Sequence, residues 1–148
     1  MLIGPLGLAA LRQAGWRVDS VGGLTLGADP VTYAISYASA LAATTDGGDG
    51  DSGTLRAFTV RKETKGHGTG RLIEGTFEPG DRVAVIEDVI TTGGSALNAV
   101  RAVRDAGGTV AGVLALVDRE EGGREALEAE GLAVRALVRA SAIVDRLG

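Results

Sequence analysis

The chain has 148 residues, 45% hydrophobic and 23% charged, a length and balance that suit one globular domain with a proper core. Its net charge of -4 and pI near 5.0 argue against a general nucleic-acid binder or a membrane-surface protein. With no cysteine and a single histidine, disulfides, thiol nucleophiles and Cys/His zinc sites are excluded, so any metal is a hard cation held by oxygen, and magnesium carried in by a substrate fits best.

No stretch approaches the ~18 consecutive apolar residues of a transmembrane helix, so a soluble protein in the cytoplasm is expected. The apolar opening, Met1 to Leu11, lacks the preceding positive charge of a signal peptide. Its spacing predicts a helix over Leu2 to Ala14, with Leu2, Leu6, Ala9 and Ala10 on the packed face and Gly15 ending it. Arg17 to Val21 reads as a short strand and Gly22 to Ala28 as a glycine-bearing loop. Asp29-Pro30 then opens a helix, with Asp as N-cap and Pro in the first turn. Such a loop either offers N–H groups to an anion or is a tight connection that simply needs glycine. The helix should run to about Ala43 on a stripe of Val31, Ile35, Ala38 and Leu41 or Ala42, with Tyr33 and Tyr37 packing rather than binding. Residues 44–53 are acidic and glycine-rich without the spacing of a calcium loop, and read as a mobile surface insert.

Leu55 to Arg61 and Leu72 to Thr76 read as two strands of a hairpin, leaving 62–71 as a long flexible connection. Its composition sets it apart, because the chain's two lysines, Lys62 and Lys65, and its one histidine, His67, all fall here. Glycines at 66, 68 and 70 make the segment pliant enough to close over a polyanion, the alternative being an ordinary solvated loop. The run Gly-His-Gly-Thr-Gly-Arg does not open a helix and lacks the spacing of a dinucleotide fingerprint, and no Walker A motif is present.

The stretch Val83 to Ser95 changes chemistry three times. Val83 to Ile86 is a continuous apolar run suited to a strand buried on both faces. Glu87 and Asp88 fall at its C-terminal end, where open α/β sheets bind ligands, and adjacent carboxylates there can hold vicinal hydroxyls or a divalent metal. Thr91-Thr92-Gly93-Gly94-Ser95 then combines hydroxyls, glycines that admit close backbone approach, and a helix start, which together suit a phosphate monoester. The plainer alternative is an acidic turn followed by a Ser-capped helix. Ser95 to Ala106 is predicted helical with Leu97, Val100 and Val103 buried and Gly107-Gly108 ending it. Val110 to Val117 is another strand, and Arg119 follows at its C-terminal edge, able either to grip a planar carboxylate or to pair with a neighbouring acid. A helix over Gly123 to Glu130 and a strand over Ala133 to Val138 complete a mainly parallel α/β alternation with one antiparallel strand from the hairpin.

The order of apolar run, acid pair and Thr-Thr-Gly-Gly-Ser resembles the phosphoribosyl-pyrophosphate (PRPP) signature of type I phosphoribosyltransferases. Arg61-Lys62-Glu63-Thr64-Lys65-Gly66-His67-Gly68, with Ile73-Glu74-Gly75 after it, is similar to the flexible catalytic loop of orotate phosphoribosyltransferases in particular. Gly22 to Pro30 resembles the pyrophosphate loop of one branch of that family, and Asp118-Arg119 the place of its orotate-binding arginine. The resemblance spans about Leu2 to Val138. It implies a three-layer α/β/α phosphoribosyltransferase-type fold and a magnesium-dependent transfer from PRPP to orotate in pyrimidine biosynthesis, with no nucleic-acid or membrane partner.

By the same resemblance Lys65, His67 and Asp88 would be catalytic, and Arg61, Lys62, Lys65 and His67 would bind pyrophosphate, some of them across a homodimer interface. Glu87 and Asp88 would hold the ribose hydroxyls, with Val89 and Ile90 continuing the PRPP-binding run into the 5-phosphate cradle of Thr91, Thr92, Gly93, Gly94 and Ser95. Thr91 and Arg119 would meet orotate, and no residue would ligate magnesium directly, the ion arriving on PRPP near Glu87 and Asp88. Leu26 stands where many relatives carry a pyrophosphate-loop lysine. Relatives also begin with an N-terminal hood over the base. This chain is expected to start after it, as a single core domain over 1–148 whose base side is open and whose apolar Leu2, Ile3 and Leu6 are covered by dimerisation.

Overall fold

The computed structural model describes residues 2–45, 53–63 and 72–148. Among these, β1 (Ser20–Leu24), β2 (Arg56–Val60), β3 (Ile73–Gly75), β4 (Arg82–Ile90), β5 (Thr109–Asp118) and β6 (Val134–Arg139) form one sheet in the order β3-β2-β1-β4-β5-β6. Neighbours run parallel except β3, which lies antiparallel to β2 with Val60 opposite Ile73. The predicted hairpin and parallel core are therefore both present.

Helices α1 (Ile3–Gln13) and α2 (Asp29–Thr45) cover one face. Leu8, Leu11, Val31 and Ile35 pack there on Val21, Ala84, Ile86 and Leu114. Helices α3 (Gly94–Asp105) and α4 (Gly123–Ala129) cover the other, where Ala99, Val100, Val103 and Leu127 meet Phe58, Val83, Val85 and Val113. The result is three layers, as expected. β4 is central and apolar on both faces because both are covered. Each aliphatic side chain buried this way contributes about 1.5–3 kcal/mol.

Several boundaries and faces differ from the sequence reading. The first strand is Ser20–Leu24, not 17–21, and it contains Gly22 and Gly23. A Cβ on Gly22 would strike the Phe58 ring at 2.5 Å and one on Gly23 the Ile86 carbonyl oxygen at 2.0 Å, so these glycines let neighbours close in and do not loop the chain out. In α1 the packed face is Gly4, Gly7, Leu8 and Leu11, while Leu2 is 74% and Leu6 52% exposed. α2 reaches Thr45, so Thr44 and Thr45 are helical, and residues 46–52 lie outside the described residues. Its buried face is Val31, Thr32, Ile35 and Ser39, which leaves Leu41, Tyr33 and Tyr37 exposed, contrary to the expectation that the tyrosines pack. A fifth helix, α5 (Ala140–Leu147), follows β6 where the sequence suggested nothing further.

Candidate active site

The chain connects β1 to β2 on one side and β4 to β5 on the other, so the crevice beyond the C-terminal ends of β1 and β4 is the sheet's switch point. Two loops meet there. Residues 25–28 follow β1, and residues 91–93 follow β4.

β4 continues as strand through Ile90, so Glu87 and Asp88 belong to its last turn of pleat and do not follow it. Their environments differ. Glu87 is only 6% exposed, and burial, reinforced by the Asp88 carboxylate against it, pushes its pKa up to about 8. Near neutral pH Glu87 is thus mainly a protonated acid able to donate a hydrogen bond. Asp88 is half-buried, and its Oδ1 accepts from the Val89 N–H at 2.8 Å. A Cβ on Gly27 would fall 2.7 Å from Asp88 Oδ2, so the absence of a side chain at Gly27 brings the β1–α2 loop against the acid pair.

The loop after β4 ends at Gly93, the N-cap of α3, with φ 87 in the left-handed region. No side chain caps this helix, so Ser95 is its second residue and not its cap. The Ser-capped alternative is therefore not what the chain forms. Among the described residues the first N–H groups of α3 instead face the switch point without a side-chain acceptor, the arrangement that favours an anion. Gly93 is further constrained because a Cβ would meet the Gly123 carbonyl oxygen at 2.9 Å.

In the β1–α2 loop, among the described residues, the backbone N–H bonds run from Thr25 to the Val60 carbonyl at 2.8 Å, Ala28 to Leu24 at 3.3 Å and Asp29 to Leu26 at 3.2 Å. The Leu26 and Gly27 N–H groups have no protein partner within that set. Asp29 does not act as an N-cap, since it lies within α2 and its carboxylate accepts from Thr25 Oγ1 and Thr59 Oγ1. Sequence reasoning missed Thr59 altogether. Its signal was its register, one residue before the end of β2 and opposite Gly23.

The remaining candidates are distributed unevenly. Arg61 is half-buried and ion-paired to Glu74 across the hairpin, with Lys62 exposed beside it. Lys65 and His67 lie outside the described residues. Arg119 stands at the same sheet edge, its N–H donating to the Ile90 carbonyl at 3.1 Å, and its exposed guanidinium pairs with Glu121 at 2.8 Å. Thr91 is half-buried, Thr92 exposed, and Ile90 buried in the core.

Among the described residues a cavity of about 740 Å³ opens at the opposite, N-terminal edge of the sheet, between Arg12, Trp16, Asp19 and Arg82. It holds neither the acid pair nor an open helix N-terminus of this kind. The switch point carries the more specific chemistry. No group of three or more metal-ligating side chains occurs among the described residues.

No family model matches the chain. It is 53% identical over 126 residues to an orotate phosphoribosyltransferase of Aquifex aeolicus, an alignment that takes in 85% of this chain and 64% of that protein. Among solved structures it is similar to the Mycobacterium tuberculosis orotate phosphoribosyltransferase in complex with inorganic phosphate. There the TM-score is 0.76 and the identity 46%, with 95% of this chain and 69% of that one covered. The same enzyme in complex with PRPP gives a TM-score of 0.73 at 44% identity, covering 94% and 74%. The chain thus spans about 64% of the length of the curated relative it matches.

Proposed function

Because the chain belongs to the orotate phosphoribosyltransferase family, we propose that it transfers the ribose 5-phosphate group of PRPP to N1 of orotate, giving orotidine monophosphate and pyrophosphate. The observation that carries this reading is the acid pair of β4, Glu87 buried and Asp88 half-buried, ahead of a helix N-terminus that no side chain caps among the described residues. Together they match a ribose flanked by a phosphate.

In this scheme the first turn of α3 and the hydroxyls of Thr91, Thr92 and Ser95 hold the 5-phosphate through N–H and O–H donors. Protonated Glu87 donates to one ribose hydroxyl oxygen while Asp88 accepts from the other, so the pair recognises a diol without accumulating two negative charges. The Leu26 and Gly27 N–H groups and the basic residues Lys62, Lys65 and His67 receive the pyrophosphate. The C–O bond to pyrophosphate breaks through an oxocarbenium-like sugar, which the orotate nitrogen captures. Developing charge on the leaving group is met by fixed donors, and no side-chain nucleophile is required.

Magnesium fits as an ion carried on the pyrophosphate, since this cation takes one or two carboxylates plus substrate phosphates in place of an all-protein cage. Asp88 is the carboxylate that would face it, with the Glu87 carboxyl beside it. When bound it neutralises charge on the departing pyrophosphate. Arg119 would release Glu121 to grip the orotate carboxylate, and a homodimer would bring a partner's basic loop to the site. Formation of orotidine monophosphate from orotate and PRPP, with magnesium present and absent, tests the scheme. Binding of PRPP without turnover would reduce the protein to a nucleotide-binding module.

A further inference from the structure

Three pieces of the C-terminal rim meet at Asp29. One carboxylate oxygen accepts from Thr25 Oγ1 at 2.9 Å, in the loop after β1, and the other accepts from Thr59 Oγ1 at 3.1 Å, near the end of β2. The Thr25 N–H also donates to the Val60 carbonyl at 2.8 Å. The β1–α2 loop is therefore tied to β2 twice, once by backbone and once through Asp29. This loop lies against Asp88 at Gly27, and its Leu26 and Gly27 N–H groups have no partner among the described residues. A carboxylate next to a loop that receives an anion is electrostatically adverse. Two hydroxyl donors and the positive end of α2 offset that charge, and what remains is a fixed geometry.

We infer that Asp29, acting through Thr25 and Thr59, is a positioning residue for the pyrophosphate part of the substrate. It sets the loop so that Leu26 and Gly27 keep their N–H groups available beside the acid pair. The inference rests on the function proposed above. It makes a distinction a purely structural role would not, because the 5-phosphate is held by the separate loop after β4, to which Asp29 makes no hydrogen bond.

The test is calorimetric titration of the whole chain with PRPP, inorganic pyrophosphate and ribose 5-phosphate, each with magnesium. Wild type is compared with Asp29→Asn, Thr25→Val and Thr59→Val. Asp29→Asn is expected to weaken PRPP and pyrophosphate about tenfold and to leave ribose 5-phosphate within about twofold, the size expected when a charge-assisted hydrogen bond is lost. The threonine variants each give part of the same loss. Either of them adds less in the Asp29→Asn background than alone, because the interaction is shared. If Asp29→Asn fails to fold, the two threonine variants carry the test. Unchanged pyrophosphate affinity, or an equal loss for ribose 5-phosphate, overturns the inference. Wild-type chain that binds ribose 5-phosphate but neither PRPP nor pyrophosphate overturns the proposed function with it.

Discussion

Replacing Glu87 by glutamine removes a buried group that resists ionisation while keeping its shape. The carboxyl titrates near 8 in the fold against 4.5 for an ordinary glutamate, because it is buried and faces Asp88. A folded pKa above the unfolded one means that the neutral form is favoured in the native state. The contribution is thus fully present below pH 4.5 and is lost as pH rises from there to about 8. At 1.36 kcal/mol per unit the full effect is on the order of a few kcal/mol. In a domain of this size that corresponds to roughly 5–15 °C in Tm. Thermal unfolding of wild type and Glu87→Gln, followed by circular dichroism at intervals from pH 4.5 to 9 without ligand, isolates Glu87 with its neighbour Asp88, because titrations of groups that do not touch the pair cancel in the difference. Glu87→Gln should gain on wild type steadily across that range and level off above pH 8. A difference that stays flat with pH, or one that shrinks, would show that Glu87 is ionised in the fold and would refute the reasoning.

Three further substitutions probe the other parts of the site. Gly93→Ala must place a side chain at φ 87 and 2.9 Å from the Gly123 carbonyl oxygen, so it should lower stability by about 1–3 kcal/mol and weaken ribose 5-phosphate binding in calorimetry. Lys65→Ala should reduce turnover by about 10²- to 10³-fold if its ammonium meets the departing pyrophosphate, and unchanged turnover would remove the 62–71 loop from the mechanism. Arg119→Ala should raise the KM for orotate by at least about tenfold while leaving PRPP affinity intact; an equal effect on both substrates would remove its assignment to orotate, and no effect on either would mean that its pairing with Glu121 is all it does.

The central stretch was legible because its chemistry is written in consecutive residues. An apolar run, an acid pair and a glycine-hydroxyl loop need no long-range information to be placed as a strand end and the turn into a helix. The hairpin around 62–71 was legible for the same reason. What escaped depended on partners far along the chain. Gly22 and Gly23 look like loop residues until Phe58 and Ile86 are brought alongside, when their lack of a side chain is what allows β1 to pair. In α1, leucine lies on more than one face, and the packed face was decided by Gly4 and Gly7. A Cβ on Gly4 would meet the Ala34 carbonyl oxygen at 2.3 Å, so close approach to α2 prevailed over bulk. Asp29 carried a plausible local role as an N-cap, and only the fold reveals that its oxygens serve Thr25 and Thr59. The raised pKa of Glu87 was equally hidden, since adjacency to Asp88 is visible in sequence but burial is not.

The central claim is that this chain joins orotate to ribose 5-phosphate at the switch point of its sheet. The most direct test incubates the purified chain at high concentration with PRPP, magnesium and orotate, and quantifies orotidine monophosphate and pyrophosphate together. The expected result is equimolar formation of both products, with uracil or hypoxanthine in place of orotate giving neither. PRPP bound but unconverted, or equal conversion of uracil, would contradict it.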